Sequence, residues 1–420
     1  DGYGASKKLF QKLILKKPKL VIMVDCGSTS IDAINFLNKN KIKSLIIDHH
    51  EIYKPYPKAD VIINPKKNNG YSEYEYFCAS TLTYFFLDLL AKKINCKINL
   101  DKYLINVVLA TVCDVMPIRK LNRLITTIAF KEFNLNENYV FKKLYELNKK
   151  NNKININDLG YLIGPTLNAG GRLGKSNYAT ELLTSDDSRI INQISSELFL
   201  LNEKRKLIEK NILENIDFNN LIKLNDKIII YYDHNINEGL IGIIAARLKD
   251  FFNKPSFVIT NSNNVLKGSA RSVVNYNIGR VIKKLFDKKI LLTGGGHNMA
   301  GGFTLEKKNF SYLKDFINND YLKNNPKNND NFYFDAEISS SIFKNNFFDE
   351  IKKIEPFGTD NPLPIFLFKE LKVIKSKVLN KENVFCLLKS KIGYSINSIY
   401  FSSNNTSITN HLLNYKKNFN

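Results

Sequence analysis

Two short apolar runs in this 420-residue chain each end in an acid. Lys19 to Val24 (KLVIMV) leads into Asp25-Cys26-Gly27, and Ser44 to Ile47 (SLII) leads into Asp48-His49-His50. A third acid, Asp114, interrupts the apolar run Val107 to Val115. A charge inside such a run is costly unless it is paired or bound to a metal. Taken singly, a strand-end Asp reads as a helix cap and a His-His pair as a surface pair. Taken together and in this order, the five residues read as a metal cluster, because carboxylates and imidazoles combined suit Mn²⁺ or a similar divalent ion.

The elements that must position these residues follow from the apolar pattern. The two runs are short and fully apolar, as expected of parallel strands covered on both faces. Between them, Ser30 to Asn40 carries Ile31, Ala33, Ile34 and Leu37 at helical spacing, which completes one βαβ unit. Neighbouring strands of that unit bring Asp25 and the Asp48-His49-His50 group to one sheet edge, and ligands bind at the carboxyl ends of such strands. Ala59 to Ile63 reads as a further strand, stopped by Asn64-Pro65. Ala79 to Lys92 and Lys102 to Val112 read as helices. Asp186 to Asn215 reads as one long helix capped by Ser185 or Asp186, able to join two domains. Strand and helix alternate again over Lys227 to Tyr232, Leu240 to Phe252 and Ser256 to Thr260. A glycine-dense tract, Thr293 to Phe303 (TGGGHNMAGGF), ends that region. Asn318 to Asn331 reads as a linker. Short strand-like runs follow: Phe332 to Ile338, Ile365 to Phe368, Leu371 to Val378 and Val384 to Lys389. They suggest a small all-β module.

The series V-D-x-G, D-H-H, then an Asp followed closely by Pro (Asp114 to Pro117) resembles the motifs of the DHH phosphoesterases. Leu162 to Gly174 (LIGPTLNAGGRLG) resembles a loop peculiar to the RecJ nucleases of that superfamily. Gly239 to Arg247 (GLIGIIAAR), Lys267 to Ser272 (KGSARS) and Gly294 to Gly302 (GGGHNMAGG) are similar to a DHHA1 domain. Glu355 to Pro364 (EPFGTDNPLP) is similar to the segment leading through the RecJ OB-fold, and Asp1 to Gly4 to a loop between the family's first two motifs. The resemblance implies an α/β fold class: a DHH-type parallel-sheet domain over 1–184 and a connecting helix over 185–222. A smaller α/β DHHA1 domain over 223–322 and an incomplete OB-like β-barrel module over 330–420 would follow.

The resemblance also implies roles. Asp25 would bridge two Mn²⁺ (or Mg²⁺) ions, with His49 and Asp114 ligating one of them. His50 would contact the scissile phosphate or finish the shell, and Asp48 would orient a histidine. Arg172, Arg271 and His297 would hold phosphates, with Asn168, Ser269, Gly295 and Gly296 beside the DNA. An Arg fork matches phosphate geometry, and glycines let backbone N–H groups approach an anion. Singly, Arg172 reads as an ordinary loop arginine, the glycine tract as a tight turn between strands, and Phe357, Phe366 and Phe368 as core. The reaction implied is release of 5′-mononucleotides from the 5′ end of single-stranded DNA. The implied setting is a cytoplasmic monomer in DNA repair and recombination, with a helicase or single-strand-binding protein as partner. The family's first motif, D-x-D-x-D-G, is not found. It should lie upstream of Asp1, so the expectation is an N-terminally truncated chain that is weakly active or inactive, and an active full-length gene product.

The bulk numbers are compatible with this reading. Net charge is +22, as a polyanionic partner requires, although abundant Lys, Asn and Ile could equally reflect an AT-rich genome. An apolar share of 44% with 24% charge is that of an ordinary soluble globular protein. The longest apolar candidate, Tyr103 to Ile118, is broken by Asp114, so no membrane span is expected. The five cysteines form no C-x-x-C pair and are expected to be buried free thiols in a reducing compartment. Two other readings stay open. One is a DHH/DHHA1 phosphodiesterase acting on short oligonucleotides or cyclic dinucleotides. The other is a degenerate, non-catalytic scaffold that binds single-stranded DNA.

Overall fold

Ser6 caps the first helix, α1 (Lys7–Leu13), by accepting from the Leu9 N–H at 3.2 Å. The first apolar run then forms strand β1 (Leu20–Val24) and the second forms β2 (Lys43–Ile47), joined by helix α2 (Ile31–Lys39). In the computed structural model, which describes residues 4–67, 72–224, 227–324, 333–344, 346–379, 383–401 and 407–414, β1 pairs parallel with β2 in the register Val24↔Ile47. Strand β3 (Val61–Ile63) pairs parallel with β2 on its other side. The apolar stripe of α2 (Ala33, Ile34, Leu37) is buried against Phe10, Val21, Met23 and Ile46, which fixes the sheet to its helices.

The chain divides into two compact units, Asp1–Asn328 and Asn329–Asn420. In the first, the β3 strand is followed by helices α3 (Ala79–Lys93), α4 (Leu104–Cys113), α5 (Lys120–Glu132), α6 (Tyr139–Leu147) and the single turn α7 (Ile156–Asp158). The segment LIGPTLNAGGRLG, expected as a loop, is helical instead. A π-helical stretch, Leu159–Ile163, runs straight into α8 (Gly164–Arg172). Pro165 sits in the first turn, where its missing N–H costs nothing. Gly164 and Gly170 serve close packing, whereas Gly174, at φ 87, turns the chain after the helix. A Cβ at Gly170 would stand 2.6 Å from the Lys175 carbonyl oxygen and 3.0 Å from Leu198. Helices α9 (Tyr178–Thr184) and α10 (Ser188–Asn215) complete a helical core around Val108, Phe141, Leu144, Leu159, Ile163 and Leu198. The cap of the long helix is Asp187, one residue beyond the two expected. Its carboxylate accepts from the Arg189 N–H at 2.8 Å.

After α11 (Phe218–Leu224), strands β4 (Ile229–Tyr232), β5 (Ser256–Ser262), β6 (Val265–Arg271), β7 (Thr293–Gly296) and β8 (Ala300–Glu306) form a mixed sheet in the order β4-β5-β6-β8-β7. Helix α12 (Ile241–Phe252) buries Ile244, Ala245 and Leu248 together with Ile229 and Val258. Helices α13 (Ile278–Asp287) and α14 (Phe310–Lys323) bury Ile282, Leu285, Leu313 and Ile317 with Phe257, Phe303 and Leu305. The glycine tract is therefore two paired strands with His297 at the turn, not a turn throughout. The expected linker from Asn318 begins later, because α14 continues to Lys323; residues 325–331 lie outside the described residues.

The second unit holds a short parallel pair, β9 (Ala336–Glu337) with β10 (Phe366–Leu367), and helix α15 (Phe347–Lys352). It also holds an antiparallel meander of β11 (Leu371–Leu379), β12 (Asn383–Ser390) and β13 (Ser395–Phe401). The β-rich character expected of this region is present. Helix α16 (Ser407–Leu413) lies against β11 and β12; residues 402–406 and 415–420 lie outside the described residues. Phe357, Phe366 and Phe368 are half-buried, short of full core positions. All five cysteines are free, but only Cys78 and Cys386 are buried. Cys26 and Cys113 are partly exposed and Cys96 is exposed, correcting the expectation for those three.

Candidate metal centre

The parallel pairing of β1 with β2 delivers Asp25 and Asp48 to the same sheet edge, each one residue past its strand. The Asp25 N–H donates to Ile47 O at 2.9 Å, extending the ladder into the site. Asp25 turns there with φ 62, and Gly27 follows with φ 113. That path swings the Asp25 carboxylate out beyond the sheet. A side chain at 27 would be strained by its φ and would press on Ile46 at 3.2 Å.

Among the described residues, Asp25, His49 and His50 each offer a ligand atom within 4.8 Å of the others. His49 Nε2 lies 3.2 Å from Asp25 Oδ1 and 3.8 Å from Asp114 Oδ2. Ligand atoms about 2.1 Å from one ion and at right angles stand about 3 Å apart, so the spacing suits a shared divalent cation. Asp114 arrives from another direction, as the C-cap of α4. The residue after it, Val115, is β-branched yet sits at φ 56, a conformation that costs energy and recurs at functional sites. Burial, then the nearby Asp25 charge, pushes the Asp114 carboxyl above its usual range, against the pull of His49 and His50. A cation between the two carboxylates would remove that conflict, so the residues present fit a divalent metal.

Asp48 is 1% exposed and binds protein instead. Its Oδ2 accepts from the Ser28 N–H at 3.0 Å, and its Oδ1 from the His49 N–H at 2.8 Å and the His50 N–H at 3.2 Å. Oδ1 also lies 2.7 Å from His50 Nδ1. Burial alone would raise this carboxyl, but the hydrogen bonds from His50 and Ser28 outweigh it and hold it below the usual carboxylate range. The pairing assigns the proton to His50 Nδ1 and leaves Nε2 for other partners.

Four residues were not singled out in the sequence. Asn64 Nδ2 donates to Ser28 Oγ at 2.8 Å and to His50 O at 2.9 Å, stitching the loops after β1 and β2 together. The Asn-Pro step gave only a strand-stop signal. Ser28, Glu51 and Lys66 complete the surround, with Lys66 Nζ 2.8 Å from Glu51 Oε1.

His297 comes from the turn between β7 and β8, far away in sequence, yet its ring stacks on His50 with centroids 5.6 Å apart. Its Nδ1 is 3.9 Å from Glu51 Oε1. Burial, then the charge of Lys66, lowers its pKa. Arg172 and Arg271 meet at a second place. Arg172 Nη1 donates to Gly239 O at 2.9 Å, and Arg271 Nη1 donates to Ser269 Oγ at 3.2 Å and Ala270 O at 2.9 Å. Burial, then the charge of Arg172, lowers the Arg271 pKa. Asn168 lies exposed on α8, Gly295 is exposed on β7 and Gly296 is half-buried beside the His297 turn.

Three family models match in order along the chain: the DHH family, N-terminal domain over residues 4–112, the DHHA1 domain over 225–322, and the RecJ OB domain over 334–416. The chain belongs to the RecJ family. It is 29% identical over 416 residues to a single-stranded-DNA-specific exonuclease RecJ of Haemophilus influenzae, covering 94% of this chain and 72% of that protein. It is 25% identical over 401 residues to the RecJ of Bacillus subtilis, covering 93% of this chain but only half of that protein. The fold is that of RecJ from Thermus thermophilus in its complex with Mn²⁺, with TM-score 0.79 at 20% identity over 96% of this chain and 59% of that one. No described helix is long and apolar enough to cross a membrane.

Proposed function

We propose that this RecJ-family protein is a divalent-metal-dependent exonuclease that hydrolyses single-stranded DNA from the 5′ end and releases 5′-mononucleotides. The observation that carries this is the convergence of Asp25, His49, His50 and Asp114 from three elements, with His297 from the second sheet stacked on His50. When bound, divalent ions would make water a nucleophile near neutral pH and neutralise charge on the phosphodiester oxygens. In this reading Asp25, His49 and Asp114 would hold the divalent ions, Mn²⁺ or Mg²⁺. Asp48 fixes His50 so that its Nε2 faces the scissile phosphate. His297, packed on His50, limits water on that side.

Arg172, Arg271 and Ser269 hold a phosphate of the strand, as a guanidinium fork does well. Asn168, Gly295 and Gly296 line its path. The second unit offers a mixed basic and apolar face of its own. Opposite residues of paired strands share a face, which groups Lys375 with Leu387, and Lys377 with Phe385 and Ile399. Lys377 Nζ lies 5.6 Å from the Phe385 ring centre, so one surface offers both charge and an aromatic plane for a base. The domain limits proposed are 1–184, 185–222, 223–322 and 330–420. The protein would work as a cytoplasmic monomer beside a helicase or single-strand-binding protein.

The test uses end-labelled single-stranded DNA and dinucleotides with Mn²⁺, comparing the full gene product with its Asp25→Ala variant. Mononucleotide release from the long strand, abolished in the variant, supports the proposal. Faster cleavage of dinucleotides supports the small-substrate phosphodiesterase. Binding without cleavage supports the scaffold.

A further inference from the structure

Helix α10 buries charge where an amphipathic helix ordinarily buries apolar side chains. Glu209 is 6% exposed. Its Oε2 accepts from Arg205 Nη1 at 2.8 Å and its Oε1 from Arg247 Nε at 2.7 Å. Arg205 Nε donates in turn to Asn202 Oδ1 at 3.0 Å, and the buried Asn202 Nδ2 reaches Thr166 Oγ1 at 3.4 Å. The chain of contacts runs from Thr166 on α8, through Asn202, Arg205 and Glu209 on α10, to Arg247 on α12. A buried ion network is weak evidence for stability, and its best-attested use is to fix geometry.

The geometry it fixes lies at the ends of α8 and α12. The Arg172 guanidinium holds Gly239 O just before α12, and the two backbones approach so closely that a Cβ at 239 would stand 2.5 Å from Arg172 O. In the first turn of α12, a Cβ at Gly242 would stand 3.1 Å from both Arg271 Nη2 and Ser269 Oγ. The start of α12 thus touches both Arg172 and Arg271. Where α12 sits along α10 decides how far apart the two guanidiniums stand.

We infer that Glu209 is a positioning residue for the Arg172–Arg271 phosphate site, holding α12 against α10 and α8 at the spacing where both guanidiniums meet one anion. The inference rests on the reading of those arginines as phosphate holders. It carries a counter-intuitive sign. Glu209→Gln removes a negative charge, which by long-range electrostatics alone would strengthen DNA binding. Loss of positioning weakens it.

The experiment is fluorescence anisotropy with a labelled single-stranded oligonucleotide, without divalent ion, across a salt titration. It compares the full chain with Arg271→Gln, Glu209→Gln, the double variant, and Arg247→Lys, which keeps the charge but loses the Nε contact at a half-exposed position. Glu209→Gln and Arg247→Lys are expected to weaken binding on the order of tenfold and lower the salt slope by about one phosphate contact, as Arg271→Gln does. The double variant should be no weaker than Arg271→Gln alone, and Mn²⁺ affinity should be unchanged. If Arg271→Gln weakens binding while Glu209→Gln and Arg247→Lys do not, or if the double variant is multiplicatively weaker, the positioning role is overturned. If Arg271→Gln itself has no effect, the phosphate-site reading falls and the inference with it. Arg247→Lys decides the matter should Glu209→Gln fail to fold.

Discussion

At the scale of the residue, the acids of the site divide by what they bind. Asp25 is half-exposed and faces another carboxylate across His49, whereas Asp48 is buried and saturated with protein donors. The two should therefore respond oppositely to substitution. Asp25→Asn relieves repulsion with Asp114, so its metal-free melting temperature is expected to equal or exceed that of the wild type. The rise in melting temperature that Mn²⁺ gives the wild type should vanish, since only a ligand that binds the native state stabilises it. Asp48→Ala leaves the Ser28, His49 and His50 donors unpaired and is expected to cost about 2–4 kcal/mol in urea unfolding. An Asp25→Asn variant that retained the Mn²⁺ shift would remove Asp25 from the metal site. Val115 offers a further test: it is 66% exposed at φ 56, so Val115→Gly removes strain while giving up little buried surface. A gain of about 1 kcal/mol is expected, because glycine adopts this conformation freely while the larger unfolded-state entropy takes back part of the benefit.

At the scale of the element, glycine sets how closely neighbouring pieces approach. Gly268 on β6 lies under the Phe303 ring of β8, and an added Cβ would sit 2.1 Å from that ring. Gly268→Ala is expected to cost about 1–3 kcal/mol of stability by overpacking. An unchanged denaturant midpoint would show that the sheet can relax there. The same logic explains a segment whose type was misread. The NAGGR segment carries turn-like glycines, but it lies between the π-helical stretch and the long helix, and burial against α10 makes it a helix. Intrinsic propensity is a weak prior that tertiary packing overrides.

At the scale of the whole molecule, a net charge of +22 gains meaning only if it touches phosphate. With as few as three phosphate contacts, affinity for single-stranded DNA should fall about 20-fold between ~50 and ~200 mM salt. Anisotropy titrations over that range measure it directly, and a flat response would leave the charge as a by-product of composition. Charge reversal at Lys375 and Lys377 should lower the slope further if the face of the second unit shares the strand.

The sequence by itself determined the first sheet and the acids at its edge. Strand-length apolar runs, a helical stripe between them and a charge after each run allow few arrangements, and a parallel βαβ unit places Asp25 and Asp48-His49-His50 together in all of them. Asp114 was legible for a related reason, since a charge within an apolar run needs a partner. Only the tertiary structure decided that Asp48 binds protein and not the ion site, that Asn64 ties the two loops, and that His297 lands on His50. The same holds for the approach of Arg172 and Arg271 to the start of α12 and for the contacts of Glu209 with Arg205 and Arg247. Apart from the local Asp48–His50 and Arg205–Glu209 pairs, those contacts join residues tens to hundreds of positions apart. Local periodicity reports which face of an element is buried, but not which distant element buries it.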